Sequence, residues 1–537
     1  MAETKYIFVT GGVASSLGKG IISASIGKLL QARGYNVTIQ KFDPYINIDP
    51  GTLNPHEHGE CYVTVDGHMA DLDLGHYERF LSIEATKANN ITSGRIYKGV
   101  IDKERRGDYL GKTVQVIPHI TDEIKRNIKK LGSKGEYDFI VTEIGGTVGD
   151  IESLPFLESV RQLRWELGDR CVCVHLTYMP YVAAAKELKT KPTQHSVKKL
   201  QELGIQPDVL ILRTEHNIEA DVRRKIALFC NVDPKAVIQS IDVPTIYEVP
   251  LKMHEQGFDS LVLNKTNTKY EGEPDMTLWN NFLNKLKNAE KSVKIGLVGK
   301  YVELPDAYKS IMESLIQAAT YNDRKLDLKL IQSETINDGN VAQILGEMDG
   351  VLIAPGSKPR GVEGKIAAAK WCRENNVPTF GISLGMQCMI VEFARNVMGL
   401  AGADSTEMNQ STPHKVIDCM DDQKSMPDVD GLTRMGNFEC QIMPNTKVAK
   451  AYGVDSVQER HHNRYEVNNA YREDMEKAGM KCVAINPTLN FVEAVELSDK
   501  QWFVGVQYHP EYSSTVLNPH PLFVDFVRAA VEYNESK

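Results

Sequence analysis

The sequence contains no apolar run near the ~18 residues needed to cross a bilayer, and its start, Met-Ala-Glu-Thr-Lys-Tyr, has no signal-peptide apolar stretch. The expectation is a cytoplasmic protein with no membrane partner. An excess of positive charge is also missing: 62 basic against 71 acidic residues leave a net charge of -9. That argues against a general nucleic-acid binder but permits a local basic pocket for a polyanionic small molecule. The nine cysteines are odd in number and sit mostly in apolar runs, so buried reduced thiols are expected. Cys171 and Cys173 alternate on one strand face without C-x-x-C spacing, which speaks against a metal site there. Internal repeats and low-complexity tracts are absent.

What is present is a long alternation of strands and helices. With 537 residues, 42% of them hydrophobic, the chain can hold two to four domains with sizeable cores. Apolar runs at 5–10, 37–40, 137–142 and 171–177 predict strands, and 20–33 predicts a helix. Such alternation implies a parallel, helix-covered sheet. The polar stretch 264–275 reads as a linker, followed by a helix of about four turns. The pattern restarts at Val293-Lys294-Ile295-Gly296-Leu297-Val298-Gly299 and continues through 350–356 and the strand before Ser383. The predicted organisation is therefore α/β throughout: residues 1–265, a linker with a helix at 266–290, and a second domain at 291–537. Residues 418–432 read as a mobile surface loop.

In the first half, Gly11-Gly12-Val13-Ala14-Ser15-Ser16-Leu17-Gly18-Lys19-Gly20 follows a strand and opens a helix. There backbone N–H groups can face phosphates, aided by the helix N-terminus, and Lys19 can reach a terminal phosphate. The spacing departs from G-x-x-x-x-G-K-[ST], and Gly20 stands where a magnesium-binding hydroxyl is usual. Carboxylates must then supply more of any magnesium coordination. Asp71 and Asp73 are candidates, as is Glu143, which ends an apolar strand before Gly145-Gly146. Asp71 can equally be a surface acid. The run from Lys189 to Ser196, with Lys225 later, gathers cations and hydroxyls for a polyanion, though basic runs are commonly solvated faces.

In the second half, Gly381-Ile382-Ser383-Leu384-Gly385 places one side chain on a glycine-bracketed strand-to-helix turn. Downstream, His509 and Glu511 offer a base and a carboxylate to orient it. The segment 379–387 with His509 and Glu511 resembles the Cys-His-Glu triad of class I glutamine amidotransferases, in which the central residue is a cysteine. The missing sulfur at 383 is the sequence's most consequential absence.

The long stretches 6–12, 41–47, 71–80, 143–152 and 189–194 resemble, in order, the amidoligase domain of the CTP synthases. The resemblance implies a P-loop-like amidoligase domain followed by a flavodoxin-like glutaminase domain. It further implies that ATP phosphorylates O4 of UTP and ammonia displaces the phosphate to give CTP. Ser16, Leu17, Gly18, Lys19, Gly20 and Ile21 would hold ATP, with Ile241, Asp242 and Val243 at its adenine. Asp73 and Glu143 would hold Mg2+. Ser15, Lys189, Thr190, Lys191, Pro192, Thr193, Gln194 and Lys225 would hold UTP, and Asp150, Ile151 and Glu152 inhibitory CTP. In the glutaminase half Ser383, His509 and Glu511 take the catalytic places. Gly356, Leu384, Gly385, Met386, Gln387, Glu407 and Arg464 take those that bind glutamine. A homotetramer and GTP activation are family traits the resemblance carries with it.

The glutaminase half departs from its family at several points. Besides Ser383, the glycine-rich oxyanion loop reads Ala354-Pro355-Gly356-Ser357-Lys358-Pro359-Arg360-Gly361. Lys358 adds bulk there and Pro359 removes an N–H donor. Arg460-His461-His462-Asn463-Arg464-Tyr465-Glu466 and Leu432-Thr433-Arg434-Met435-Gly436 are also altered. In the ligase half only Met69 and His56 are unusual. The expectation is CTP synthesis from ammonia, with the glutaminase half-reaction impaired. Two other readings stand beside it: a serine-dependent amidohydrolase, since Gly-Ile-Ser-Leu-Gly fits G-x-S-x-G, and a catalytically silent nucleotide-binding subunit.

Overall fold

The computed structural model describes residues 3–14, 16–53, 58–419 and 434–537. Ser15, His56 and nearly all of the expected 418–432 loop lie outside the described residues. Spatial proximity divides the chain into two units, Met1–Thr52 with Ala70–Asn280, and Leu53–Met69 with Asn281–Lys537.

The first unit is built on a seven-stranded sheet. Its strands are β1 (Lys5–Gly11), β2 (Val37–Asp43), β3 (Asn90–Thr92), β4 (Phe139–Ile144), β5 (Cys171–Tyr178), β6 (Val209–Thr214) and β7 (Val237–Ile241). They lie in the order β7-β6-β5-β1-β4-β2-β3, every pair parallel. Near-continuous apolar runs suit strands buried on both faces; β2 and β4 are buried along their whole length. The helices that bear on the site are α1 (Lys19–Ala32), α2 (Asp73–Leu81), α3 (Leu154–Leu167), α4 (Lys191–Glu202), α5 (Ala220–Cys230) and α6 (Thr277–Asn288).

The stretch expected to be a linker is fastened along the end of α1. Arg33 donates to Asp259 at 2.7 Å and to the Gly272 carbonyl at 2.6 Å, and lies over the Tyr270 ring. Tyr35 donates to the Lys269 carbonyl, and the Asp275 N–H donates to the Ala32 carbonyl, both at 2.9 Å. These bonds to the stretch are made by its backbone groups. α6 then anchors through buried Trp279, whose indole N–H donates to the Tyr247 carbonyl at 2.8 Å.

The second unit holds a nine-stranded sheet. Its strands are β8 (Ser292–Gly299), β9 (Lys325–Gln332), β10 (Gly350–Ile353), β11 (Thr379–Ile382), β12 (Arg434–Ile442), β13 (Ser456–Asn463), β14 (Met480–Ile485), β15 (Val492–Leu497) and β16 (Phe503–Val506). The order is β9-β8-β10-β11-β16-β15-β14-β12-β13. The first five are parallel and the rest form an antiparallel wing that strand-helix alternation did not foretell. α7 (Lys309–Tyr321), α8 (Val362–Glu374), α9 (Leu384–Asn396) and α10 (Pro521–Ser536) cover it. Leu53–Met69 comes from the first half of the sequence yet packs within this unit. Glu60 accepts from the Ser310 N–H at 3.0 Å, and Tyr62 donates to the Tyr512 carbonyl at 3.1 Å.

All nine cysteines are free thiols, and seven of them are buried. Among the described residues no helix is long and apolar enough to cross a membrane.

Candidate functional site

In a parallel sheet ligands collect at the carboxyl ends of the strands. There β1 runs into the glycine loop, and α1 begins at Lys19 after Gly18 in the left-handed conformation. The loop is strained: Val13 and Ser16 hold φ of 81° and 57° without being glycine. Such geometry persists only where the surroundings impose it, and it gathers at ligand clamps. Lys19 Nζ donates to the Gly146 carbonyl at 2.9 Å, at the end of β4. Burial lowers its pKa, and the charge of Glu143 opposes the fall.

The carboxylates meet at the same end. Register places Lys41 of β2 opposite Glu143 of β4, and Asp43 follows on the same face because side chains alternate along a strand. Lys41 Nζ donates to Asp71 at 2.8 Å, also to Asp73, and lies 3.5 Å from Asp43. Asp43 further accepts from Asn90 at 2.9 Å, and Tyr77 donates to Glu143 at 2.5 Å. Burial, then the nearby charge of Asp73, raises the Glu143 pKa to about 7; burial raises Asp43 to about 6. Asp73 fits because Gly20 has no side chain: a Cβ there would lie 2.2 Å from Asp73 Oδ1. Gly20→Ala is accordingly expected to displace the Asp73 side chain from this position.

Beside the loop lies a cavity of 140 Å³. Ser16, Leu17, Gly18 and Ile21 line one side, Val243 and Ile246 another. Ile241 ends β7 next to it, while Asp242 pairs at 2.5 Å with Arg213, itself a lining residue. Thr190, Pro192, Thr193 and Gln194 sit at the N-terminal turn of α4, with Gln194 donating to Thr190 at 3.1 Å. Lys189 pairs with Glu187, and exposed Lys225 on α5 acts electrostatically on the same Glu187. Lys191 is exposed at the start of α4. Asp150, Ile151 and Glu152 are exposed ahead of α3; their neighbour Gly149 faces the Lys199 stem of α4.

In the second unit Ser383 is the hinge between β11 and α9, with φ 51° and ψ −109°. The strand can turn this sharply only because Gly385 passes close beneath; a Cβ there would lie 2.0 Å from the Ile353 carbonyl. Ser383, His509 and Glu511 are all buried, at 5%, 5% and 2% exposure. His509 Nδ1 and Glu511 Oε1 lie 2.8 Å apart. Among the described residues His509 Nε2, however, has no hydrogen-bond partner, and Ser383 Oγ instead accepts from Gln507 Nε2 at 3.4 Å. Base and orienter are coupled while nucleophile and base are not.

The altered 354–361 loop is held by cations. Lys365, fully buried with its pKa lowered to about 8 by burial, donates to the Ala354 carbonyl at 2.6 Å and to that of Pro355 at 3.2 Å. Lys300 donates to the Ser357 carbonyl. Lys358 adopts φ 65°, and its N–H donates to Glu407 at 2.8 Å. Burial raises the Glu407 pKa, and Arg464 lies close enough for its charge to oppose this. Gly356 faces Leu384: a Cβ there would lie 3.6 Å from Leu384 Cδ2. Gly385, Met386 and Gln387 form the buried first turn of α9, with Gln387 donating to Gln507 at 3.1 Å. Asn463 donates to Glu466 at 2.7 Å; burial raises Glu466 to about 7 and lowers His462 to about 4.

Residues 5–268 match the family described as CTP synthase N-terminus, and residues 303–529 match glutamine amidotransferase class-I. A CTP synthase of Bacteroides fragilis is 66% identical over 532 residues, covering 99% of this chain and 100% of its own. The chain belongs to the CTP synthase family. Relatives from Porphyromonas gingivalis, at 64%, and Flavobacterium johnsoniae, at 59%, each cover 99% of this chain and 99% of their own. A solved Trypanosoma brucei CTPS glutaminase domain with bound acivicin is 36% identical and covers 45% of this chain and 94% of its own, with TM-score 0.43.

Sequence reasoning gave no role to Lys41, Asp43, Tyr77, Arg213, Lys300, Lys365 or Gln507, all of which face these sites. For Lys41 and Asp43 a signal existed: two charged residues, one apart, closing a strand that carries no other charge. Lys365 left none, because a lone lysine in a helical pattern reads as solvated.

Proposed function

We propose that the chain makes CTP from UTP and ATP, with ammonia as its effective nitrogen donor and glutamine a poor one. One observation carries the first part. Lys19, Lys41, Asp43, Asp73 and Glu143 converge at the carboxyl end of a parallel sheet, beside a cavity lined by the glycine loop and Val243. Phosphoryl transfer needs charge neutralisation and positioning more than covalent help. Lys19 meets the charge of the transferring phosphoryl group. The cavity takes the adenine, and the N-terminal turn of α4 with Lys189, Lys191 and Lys225 takes the UTP phosphates. Uracil O4 receives the γ-phosphoryl group of ATP and ADP is released; ammonia then adds at C4 and loses a proton, and the C4–O4 bond breaks to release phosphate.

Mg2+ fits the residues present. Glu143 and Asp43 are buried acids with raised pKa values, and Gly20 leaves open the space that Asp73 uses. Asp73 and Glu143 would hold the ion; when bound, it neutralises phosphate oxygens. Asp71 accepts from Lys41, as Asp73 does, and accepts in addition from the Asp73 N–H. Asp73→Asn or Glu143→Gln should therefore raise the magnesium requirement about 10–100-fold, and Asp71→Asn less. A larger Asp71 effect would reassign the ligand. The pH sign follows from Glu143. Its raised pKa keeps it protonated below about pH 7, so the magnesium needed for half-maximal rate should climb as pH falls through that value. A magnesium titration at pH 6, 7 and 8 that shows no drift would remove Glu143 from the site.

Cytoplasmic location, assembly as a homotetramer, GTP activation and feedback by CTP through Asp150–Glu152 belong to the same proposal. The test of the whole is CTP formation from ATP, UTP and Mg2+, once with ammonium and once with glutamine. The serine-hydrolase reading finds less support, because the hydroxyl of Ser383 is bonded to Gln507 rather than to His509.

A further inference from the structure

Beneath the phosphate loop lies a buried polar chain outside the chemistry assigned to Lys19 and the carboxylates. His175 sits inside β5, fully buried, in register with Thr10 of β1. Its Nδ1 is 2.9 Å from Thr10 Oγ1, and its Nε2 is 2.9 Å from Ser196 Oγ. The Thr10 hydroxyl donates to the Val174 carbonyl at 3.4 Å. Its oxygen is then free to accept from Nδ1–H, and the Ser196 hydroxyl donates to Nε2. One neutral tautomer satisfies both ends. Burial, helped by the charge of Lys19, lowers the His175 pKa to about 3, so the ring stays neutral at any working pH.

Two further contacts show what this chain joins. Ser196 lies on α4, the helix whose first turn carries Thr190 to Gln194. A Cβ on Gly12 would fall 1.9 Å from Ser196 Oγ, so the phosphate loop rests directly on that hydroxyl. Nearer the start of α4, Thr193 and Thr177 hydroxyls lie 2.9 Å apart and tie the helix to β5 a second time.

We propose that Thr10, His175 and Ser196 form a positioning relay that fixes the phosphate loop against the UTP-binding turn of α4, and so sets the spacing between the phosphoryl donor and its acceptor. The inference rests on the ligase reading above. His175 is a positioning residue: it acts through the loop and the helix. A neutral ring held at both nitrogens is a rigid spacer, whereas a cation in its place would face Lys19. In-line transfer tolerates little displacement; an error near 1 Å can cost about 100-fold in rate.

The experiment uses the full chain with ammonium as donor and compares Ser196→Ala, Thr10→Val and the double variant. Each single change should lower kcat about tenfold or more, while KM for ATP stays within about twofold. The double variant should be no slower than the slower single, because a relay broken once is already broken. Melting midpoints are recorded alongside. Ser196→Ala removes only a hydroxyl from a helix, so it keeps the test open if Thr10→Val fails to fold. Unchanged kcat in Ser196→Ala, multiplicative losses in the double variant, or losses matching the unfolded fraction would overturn the relay. An unchanged parent chain that makes no CTP refutes the ligase reading, and the relay falls with it; that outcome appears in the parent, not in the variants.

Discussion

Lys19→Ala is expected to abolish CTP formation from ammonium, with a loss of about 10³-fold or more, by analogy with other cations that neutralise a transferring phosphoryl group. The residue opens α1, and a helix N-terminus is a place that favours anions. Its stem packs against Gly11, where a Cβ would come within 2.8 Å of Lys19 Cδ, and its tip is aimed at the end of β4 by the Gly146 carbonyl. Glu143, Asp73 and Asp43 surround it and work against the burial that lowers its pKa. Removing the cation leaves those acids facing the phosphates with Lys41 as the remaining neighbour. Lys19→Arg should rescue little, since the planar guanidinium cannot follow the same path past Gly11. CTP is followed by absorbance, and a melting curve confirms folding. Unchanged turnover in Lys19→Ala would refute the assignment.

Glutamine should support far less CTP synthesis than ammonium does. A serine hydroxyl is far less acidic than a thiol and depends on an aligned base. Here the base is aligned with Glu511 but not with Ser383. The oxyanion loop adds a second deficit. The Lys358 N–H is taken by Glu407, and Pro359 has none to offer. Each lost donor costs about 2.7–4 kcal/mol, or 10²–10³ in rate, by the precedent of other oxyanion holes. Ser383→Cys should restore part of the glutamine-dependent rate and leave ammonia-dependent synthesis nearly unchanged. Full restoration by that one change would exonerate the loop. A glutaminase rate in the unchanged protein equal to its ammonia-dependent synthesis would sink the prediction and favour the serine nucleophile.

Much of the site was legible because its chemistry is written in local patterns. A glycine loop between strand and helix, a carboxylate ending an apolar strand and a glycine-bracketed turn all announce their geometry through backbone rules. Groups recruited across the sheet were less legible. Lys41 is meaningful only once register sets it beside Glu143, and Gln507 only once it reaches Ser383. His175 read as one more residue of an apolar strand; its partners lie on two other elements. The bonds that Arg33 and Tyr35 make to backbone carbonyls within 264–275 left no mark in its polar composition.

By itself the sequence determined the alternating architecture, the glycine loop between strand and helix, the acids at strand ends and the serine at the 383 turn, because each depends on residues close together in the chain. Tertiary structure decided the rest. It set Lys41 between Asp71 and Asp73, donating to both, and turned the Asp73 N–H onto Asp71. It moved Leu53–Met69 into the second unit, where Glu60 and Tyr62 find their hydrogen-bond partners. It paired Ser383 with Gln507 instead of His509. Hydrogen bonds and ion pairs act over a few ångströms whatever the separation along the chain, so only the folded arrangement can say which partner a buried polar group obtains.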